Sequence, residues 1–220
     1  MKRRVAILIS GRGSNMAALI QAAIAADFPA EIALVISNRA GAAGLGKARA
    51  SGIATLVIES KPFGGDRAAF EALLQSALDE HRIDLICLAG FMRLFTAEFV
   101  QRWYGKMLNI HPSLLPSFPG LDPKAQALKA GVRISGATVH FVIAQTDAGP
   151  ILMQGAVPVC SDDTPQTLAA RILQIEHRIY PDALRLLASD KVHLDGDMCR
   201  LEGGAGGDAL ISPAVSPKGT

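Results

Sequence analysis

The sequence predicts an α/β fold in which a mostly parallel, twisted sheet is flanked by helices. From residue 5 to residue 111, short apolar runs that suit buried strands alternate with longer segments that suit helices. The first run, residues 5–9, is followed by a glycine-rich turn that opens a helical segment. Such alternation is typical of a parallel sheet with right-handed crossovers. The predicted architecture is therefore Rossmann-like.

The first half of the chain provides four strands and four helices. We predict strands at 5–9, 32–36, 55–58 and 85–89, because each is an apolar run bounded by turn-forming residues. Helices are predicted at 15–26, in the small-residue segment ending at Ala50, at 67–81 and in the segment reaching Trp103. The helix at 67–81 has the clearest pattern, with these apolar residues near helical spacing: Phe70, Leu73, Leu74, Ala77 and Leu78.

The second half continues with a short helix at 126–130 and two strands at 136–143 and 151–159. These strands should pair as a hairpin around Asp147, and Pro158 suggests that the later one lies at a sheet edge. A long helix is predicted at 167–187, kinked or split by Pro181. A terminal strand is predicted at 193–201. We expect one domain over 1–201 and a flexible tail over 202–220, where Gly, Ala, Ser and Pro dominate.

The central feature is the stretch from Met107 to Gly120. Asn109 and His111 are polar residues within an apolar run, and their spacing places both side chains on one face of a strand. Three prolines and Gly120 then form a stiff loop. Ligands of open α/β sheets bind at the carboxyl ends of strands, so the pair predicts a functional site. A purely structural role for both residues is the less favoured interpretation.

The segment Ser10 to Asn15 follows a strand and opens a helix. Its glycines would let the backbone approach a ligand, and free N–H groups at a helix start favour an anion. A monophosphate is favoured over a dinucleotide, because Met16 occupies the position of a third glycine and the Lys-Ser/Thr of a nucleotide-binding loop is missing. From spacing alone, an ordinary turn with Ser14 as the helix N-cap is equally plausible.

Composition excludes several classes of function. The net charge is +2 and aromatic residues are 5%, which argues against a nucleic-acid surface or a base-stacking platform. The three cysteines show no paired spacing, so neither a disulfide framework nor a zinc site is expected, and the compartment should be reducing. The first apolar run is too short for a signal peptide, and no run is long enough for a membrane span. We therefore expect a cytoplasmic protein.

These motifs together resemble the folate-dependent formyltransferases. The signature is Asn109 to Pro116 followed by Pro119-Gly120, and the upstream Ser10–Asn15 loop and the downstream Asp147-Ala148-Gly149-Pro150 loop also match. The combination is most similar to the members that formylate glycinamide ribonucleotide in purine biosynthesis. The resemblance covers about the first nine-tenths of the chain, and the long Asn109–Pro116 motif is its most specific part.

The resemblance implies direct formyl transfer from 10-formyltetrahydrofolate, as donor co-substrate, to the amine of glycinamide ribonucleotide, with no metal. By resemblance, Asn109, His111 and Asp147 are catalytic, with Asp147 orienting His111 and favouring its protonated form. The implied ribonucleotide-binding residues are Arg12, Gly13, Ser14, Asn15 and Glu176. The implied donor-binding residues are Arg67, Phe91, Met92, Arg93, Leu94, Phe95 and Asn109. Taken alone, Asp147 would be a turn residue and Glu176 an exposed helix charge, and for Arg67 a solvated charge at a helix start is as plausible as a ligand contact.

The chain departs from the family pattern at Asp122 and Lys124, where many relatives have histidines, and at Leu173, where Lys or Gln is common. Two alternatives keep the same catalytic trio: a 10-formyltetrahydrofolate hydrolase and a methionyl-tRNA formyltransferase. A third, of another class, is a domain that senses a phosphate and does no chemistry. We expect small-molecule substrates, no nucleic acid or membrane partner, and a monomer or homodimer.

Overall fold

The computed structural model describes residues 1–202, so all but the first residue of the predicted tail, 202–220, lies outside the described part. A seven-stranded sheet has the order β3-β2-β1-β4-β5-β6-β7. Its strands are β1 (Arg3–Ile9), β2 (Ala30–Ser37), β3 (Ala54–Val57), β4 (Leu85–Leu88), β5 (Met107–His111), β6 (Ile134–Phe141) and β7 (Ile151–Pro158). The helices are α1 (Ser14–Ala23), α2 (Ala43–Ala50), α3 (Arg67–Glu80), α4 (Ala97–Arg102), α5 (Pro123–Ala130) and α6 (Pro165–Ala188).

The predicted fold class is confirmed. The strands β1 to β5 pair in parallel, whereas β6 and β7 are antiparallel additions at one edge. The expected hairpin of the two late strands is present, and the later strand, which ends at Pro158, lies at the sheet edge. Since β1 lies between β2 and β4, the direction of winding reverses there, and a crevice opens at the carboxyl ends of these strands.

Both faces of the sheet are buried by helices. Along β1, Val5, Ile7 and Ile9 belong to one apolar cluster, and the alternate residues Ala6 and Leu8 belong to a second cluster. Buried side chains of α1, α2 and α6 join the first cluster, and those of α3 and α4 join the second. This explains why the parallel strands are continuous apolar runs in the sequence.

The last long helix, α6, is continuous through Pro181, so the expectation that this proline splits it is wrong. Two of its neighbouring residues, Ile179 and Tyr180, are buried, and packing against the sheet offsets the one backbone bond that a proline removes. The Tyr180 hydroxyl donates to the carbonyls of Leu88 and Leu108, at 3.0 and 3.1 Å. This hydroxyl therefore joins β4 to β5 immediately before Asn109.

The prediction of one terminal strand at 193–201 is also wrong. Two short strands, β8 (Val192–Asp195) and β9 (Met198–Leu201), form a separate antiparallel hairpin. The turn between them contains Gly196, whose φ of 57° suits glycine in a tight hairpin. The glycine of this turn and the aspartate that follows it are turn-forming residues, and in the sequence they separate the two strands.

The loop that joins β6 to β7 depends on close backbone contact at Gly149. A Cβ atom at this position would overlap the carbonyl of Phe141. The Phe141 N–H also donates to the carbonyl of Pro150, at 2.9 Å. Any side chain at 149 must therefore move the loop that carries Asp147.

Replacing Gly149 by Ala should destabilise the protein by about 1–3 kcal/mol, the usual cost of overpacking a tight site. The matched control is Gly46→Ala in α2, where an added Cβ meets nothing within 4 Å. That change should stabilise the protein by about 0.5–1 kcal/mol, because alanine favours a helix interior. Urea unfolding of both variants measures the difference, and equal effects would contradict the packing argument.

Candidate active site

Asn109, His111 and Asp147 come together in the structure. Asn109 and His111 lie two residues apart on β5, and Asp147 reaches them from the β6–β7 loop. The Oδ2 atom of Asp147 is 3.4 Å from His111 Nδ1 and accepts a hydrogen bond from Gly120 N–H at 2.8 Å. The side chains of His111 and Asp147 are only 7% and 9% exposed. A nearly buried carboxylate is thus held between an imidazole and a backbone donor.

His140 belongs to the same cluster, although the sequence analysis did not assign it a role. Its Nε2 atom is 3.1 Å from Asn109 Nδ2 and 3.9 Å from Asp147 Oδ1, and its Nδ1 atom is 3.0 Å from the Phe141 carbonyl. Burial lowers the pKa of His140 below the usual 6.5, although the Phe141 carbonyl and Asp147 act in the opposite direction. The register of the antiparallel pair β5 and β6 places His140 opposite Asn109. A prediction of that register could have identified His140 as part of the cluster.

A buried polar network fixes the proline-rich loop after β5. The Ser113 hydroxyl donates to the carbonyls of Ser117 and Phe118, and the Thr138 hydroxyl donates to the Ser113 carbonyl. The Thr138 hydroxyl accepts in turn from Leu115 N–H at 3.0 Å. His111 Nε2 is 3.0 Å from the Phe118 carbonyl that this loop presents. The loop therefore sets the orientation of the imidazole.

A cavity of about 170 Å³ opens beside this cluster, and we call it the donor cavity because most residues predicted to bind the formyl donor line it. Asn109, His140 and Asp147 line it on one side. Of the residues predicted to bind the donor, it contains Arg67, Phe91, Arg93, Leu94, Phe95 and Asn109. Met92 is not part of its lining, and its side chain is exposed, but its backbone N–H donates to the Ser10 hydroxyl at 2.8 Å. The cavity is thus polar at the Asn109 end and apolar along Phe91 and Phe95.

The glycine-rich loop lies at the end of β1, where α1 begins at Ser14. Gly13 is the N-cap residue with φ of 66°, and no side chain caps the helix, so the alternative in which Ser14 is the cap is wrong. Gly13 also approaches Gly44 of α2 so closely that a Cβ at Gly13 would be 3.0 Å from the Gly44 Cα. Arg12 is exposed, and the first turn of α1 carries no acidic residue. These features leave the N–H groups of the first turn of α1 without a capping side chain.

Glu176 lies beside this loop and is 7% exposed, so the interpretation of it as an exposed helix charge is wrong. Asn15 Nδ2 donates to its carboxylate at 2.7 Å. Burial raises the pKa of Glu176, while the bond from Asn15 and the positive charge of Lys124 act to lower it. Within residues 1–202, the buried Asn15 Oδ1 has no hydrogen-bond partner. A ligand with hydroxyl groups would satisfy both side chains.

Two other positions depart from the family pattern. Asp122 is the N-cap of α5, with φ of 53° and no capping bond from its side chain. Leu173 is half-buried on α6.

In the part of the chain that the structure describes, no group of three His, Cys, Asp or Glu side chains could hold a metal ion. Over the same residues, no helix is both long and apolar enough to span a membrane.

Comparison with known proteins agrees with this geometry. The model of the formyl transferase family matches residues 3–184 of the chain. The trifunctional purine biosynthetic protein adenosine-3 of Homo sapiens is 51% identical over 200 residues, which is 90% of this chain and 20% of that protein. The phosphoribosylglycinamide formyltransferase of Escherichia coli (strain K12) is 39% identical over 199 residues, covering 90% of this chain and 93% of the relative. The chain therefore spans about a fifth of the trifunctional relative and nearly all of the shorter one.

Solved structures give the same result. The glycinamide ribonucleotide transformylase 1 of Symbiobacterium toebii superposes with a TM-score of 0.88 and is 44% identical, covering 91% of this chain and 94% of that one. A formyltetrahydrofolate deformylase of Pseudomonas syringae superposes with a TM-score of 0.84 at 27% identity, covering 91% of this chain and 66% of that one. The sequence match over residues 3–184 and these superpositions agree, and the chain belongs to the formyl transferase family.

Proposed function

We propose that this chain transfers the formyl group of 10-formyltetrahydrofolate to the amine of glycinamide ribonucleotide in purine biosynthesis. The observation that carries the proposal is the contact of His111 with Asp147, which lines one end of the donor cavity together with Asn109. Relatives that share most of this chain are named phosphoribosylglycinamide formyltransferase, which agrees with the proposal. Residues 1–201 would form the catalytic domain.

The reaction begins when the amine of the ribonucleotide attacks the formyl carbon, and the carbonyl oxygen becomes an oxyanion. Asn109 and His111 are the donors best placed to stabilise this developing charge. The His111 Nε2–H is held by the Phe118 carbonyl at 3.0 Å, and the formyl oxygen would compete for it. Collapse of the tetrahedral intermediate breaks the bond to N10 of the folate, which leaves with a proton that originates from the amine.

Asp147 is the residue we assign to proton transfer, directly or through water. The Asp147 carboxylate and the Phe118 carbonyl face the two ring nitrogens of His111, at 3.4 and 3.0 Å. An imidazole can donate to two acceptors only in its doubly protonated form. A positive His111 would then serve both as partner of Asp147 and as donor to the oxyanion.

Both substrates would meet at the Asn109 end of the donor cavity. The donor folate would occupy the cavity, with its pterin near the backbone of residues 91–95 and its glutamate carboxylate near Arg67. The phosphate of the ribonucleotide would lie on the loop containing Arg12, Gly13 and Ser14. Its ribose hydroxyls would bond to Glu176 and to the unpartnered oxygen of Asn15. Holding the two reactants together supplies much of the rate acceleration.

The proposal needs no metal, no nucleic acid and no membrane partner, and it allows a monomer or a homodimer. It assigns the chain to the cytoplasm, where thiols stay reduced, and Cys87, Cys160 and Cys199 are all free. Residues 203–220 have no part in the proposed chemistry.

One assay separates the proposal from its alternatives. Purified protein is incubated with 10-formyltetrahydrofolate, with and without glycinamide ribonucleotide, and folate absorbance is followed. Turnover that requires the amine is the expected result. Turnover without the amine would instead indicate a hydrolase, as the likeness to the deformylase allows. No turnover in either case would leave the methionyl-tRNA formyltransferase or the phosphate-sensing domain.

Asp147→Asn should lower turnover by about 10²–10⁴-fold, the usual range for losing general acid–base catalysis. The amide oxygen can still accept from Gly120 N–H, so the loop should keep its shape while the charge is lost. The double variant with His111→Ala should be hardly slower than the worse single variant, because residues that act as one unit are not additive. A double-mutant cycle on turnover measures this, with binding of both substrates checked in each variant. Simple addition of the two losses would show that Asp147 is only a turn residue.

His140 should remain neutral at pH 7, because burial lowers its pKa below 6.5. A neutral ring that donates from Nδ1 to Phe141 can accept at Nε2 from the Asn109 amide. Between its lowered pKa and about 6.5, the unfolded chain binds more protons, so acidification should reduce the free energy of unfolding over that window. Below the lowered pKa, protonation removes the acceptor for Asn109 and turnover should fall.

The measurement is an imidazole NMR titration, with His140→Phe identifying the resonance. This variant should lower turnover about fivefold to tenfold at neutral pH, as expected for one lost hydrogen bond. Its rate should no longer decline through the pH range in which His140 titrates. A His140 resonance that titrates above pH 6.5 would contradict the assignment.

A further inference from the structure

Residues 91–95, which we call the donor segment, run from β4 to α4 without forming a helix or a strand. The segment contributes Phe91, Arg93, Leu94 and Phe95 to the wall of the donor cavity. Within residues 1–202, none of its N–H or C=O groups makes a hydrogen bond to another backbone group. Since no regular backbone ladder defines its shape, the donor segment depends on side chains of other elements.

Two side chains hold the ends of the donor segment. Near its start, the Met92 N–H donates to the Ser10 hydroxyl at 2.8 Å. Immediately after its end, the N–H of Thr96 donates to the Glu71 carboxylate at 2.7 Å, and the Thr96 hydroxyl donates to the other oxygen of the same carboxylate. The backbone between these two anchors is thereby left free to face a ligand.

Glu71 lies on α3 and is only 5% exposed. Within residues 1–202, Thr96 supplies all the hydrogen bonds that its carboxylate accepts. A buried carboxylate is costly unless its oxygens are hydrogen-bonded, so the contact with Thr96 is strongly favoured. The Thr96 hydroxyl also accepts from the Phe99 N–H at 3.2 Å and thus caps α4. One carboxylate therefore fixes both the end of the donor segment and the start of α4.

The residue before Glu71 supports the donor segment from the same helix. The ring of Phe70 stacks on Phe91 with centroids 6.5 Å apart, and Phe91 stacks on Phe95 at 5.5 Å. The Arg93 guanidinium lies over the Phe70 ring, at 5.4 Å from its centroid. Separation of the segment from α3 would therefore displace the aromatic wall of the donor cavity.

We propose that Glu71 is a positioning residue for the formyl donor, because it holds the donor segment in its binding shape before the folate arrives. The proposal rests on the proposed function, in which the folate occupies the donor cavity. Glu71 is not among the residues that line this cavity, so its effect must pass through Thr96 and the segment. Without the carboxylate, donor binding would have to order the free segment, and ordering the backbone of each residue costs about tenfold in affinity.

The test compares three variants with the wild-type chain. Glu71→Ala removes the anchor, whereas Glu71→Gln retains it, because the amide oxygen can accept from the Thr96 N–H and the amide nitrogen can donate to the Thr96 hydroxyl. The matched control is Asp84→Ala, which removes a carboxylate that accepts from the Arg4 N–H, also at 2.7 Å, at the amino ends of the strands.

The measurements are the dissociation constant of tetrahydrofolate, kcat and KM for both substrates, urea unfolding and amide hydrogen exchange of residues 91–96. Glu71→Ala should weaken tetrahydrofolate binding and raise the donor KM by about tenfold to a hundredfold, as expected if one or two residues must be ordered. Its KM for glycinamide ribonucleotide, and its kcat with saturating donor, should stay within about twofold of wild type.

Glu71→Gln should bind tetrahydrofolate within about threefold of wild type, because both contacts with Thr96 are retained. In free Glu71→Ala, the amides of residues 91–96 should exchange faster than in the wild-type chain, and bound tetrahydrofolate should restore their protection. Asp84→Ala should lose stability in urea but keep the donor affinity of wild type.

If Glu71→Ala does not fold, the pair Thr96→Val and Thr96→Ser provides the same test. Valine removes the hydroxyl that donates to Glu71, whereas serine keeps it. Only the valine variant should weaken donor binding, by about threefold to tenfold, as expected for one lost hydrogen bond to a charged group. Equal donor affinity in the two variants would contradict the proposal.

Three results with Glu71→Ala would overturn the inference. An unchanged donor affinity, or a loss of equal size for both substrates, would show that Glu71 only supports the fold. A loss of donor affinity in Asp84→Ala as large as that in Glu71→Ala would indicate reduced stability alone. Failure of the proposed function is distinguishable, because the wild-type chain would then bind no tetrahydrofolate and use no donor.

Discussion

The site depends on one nearly buried carboxylate. A buried charge is costly unless it is paired and hydrogen-bonded, and Asp147 meets that requirement with His111 on one side and the Gly120 N–H on the other. These partners come from β5 and from the loop that follows it, whereas Asp147 comes from the β6–β7 loop. Satisfying this charge therefore joins two loops that are distant in sequence, and the proline-rich loop and Gly149 hold them in position.

Two histidines in the same cluster have different hydrogen-bonding neighbours. His111 faces an oxygen acceptor at each ring nitrogen, whereas His140 faces one carbonyl and one amide donor. Burial lowers the pKa of His140, which favours a neutral ring at that position. In the proposed reaction, His111 stabilises the developing charge and the neutral His140 ring orients Asn109.

The topology determines where two substrates can meet. Because winding reverses at β1, the glycine-rich loop after β1 and the segment after β4 that we propose to bind the donor lie on either side of one crevice. Tyr180 joins β4 to β5 beneath this crevice, so Asn109 is held level with the end of β4. All of these features use the carboxyl ends of parallel strands, where backbone and side chains can face a ligand.

The order of elements, the parallel architecture and the pair Asn109 and His111 could be predicted from the sequence, because periodicity, turn residues and motif spacing are local properties. Asp147 was predicted through the family resemblance alone. The sequence did not reveal His140, since its pairing with Asn109 depends on the register between two strands. Nor could it reveal the burial of Glu176 or the uninterrupted α6, because both result from packing between distant segments. These features become visible in the folded chain, because register and burial are set by contacts that no local pattern encodes.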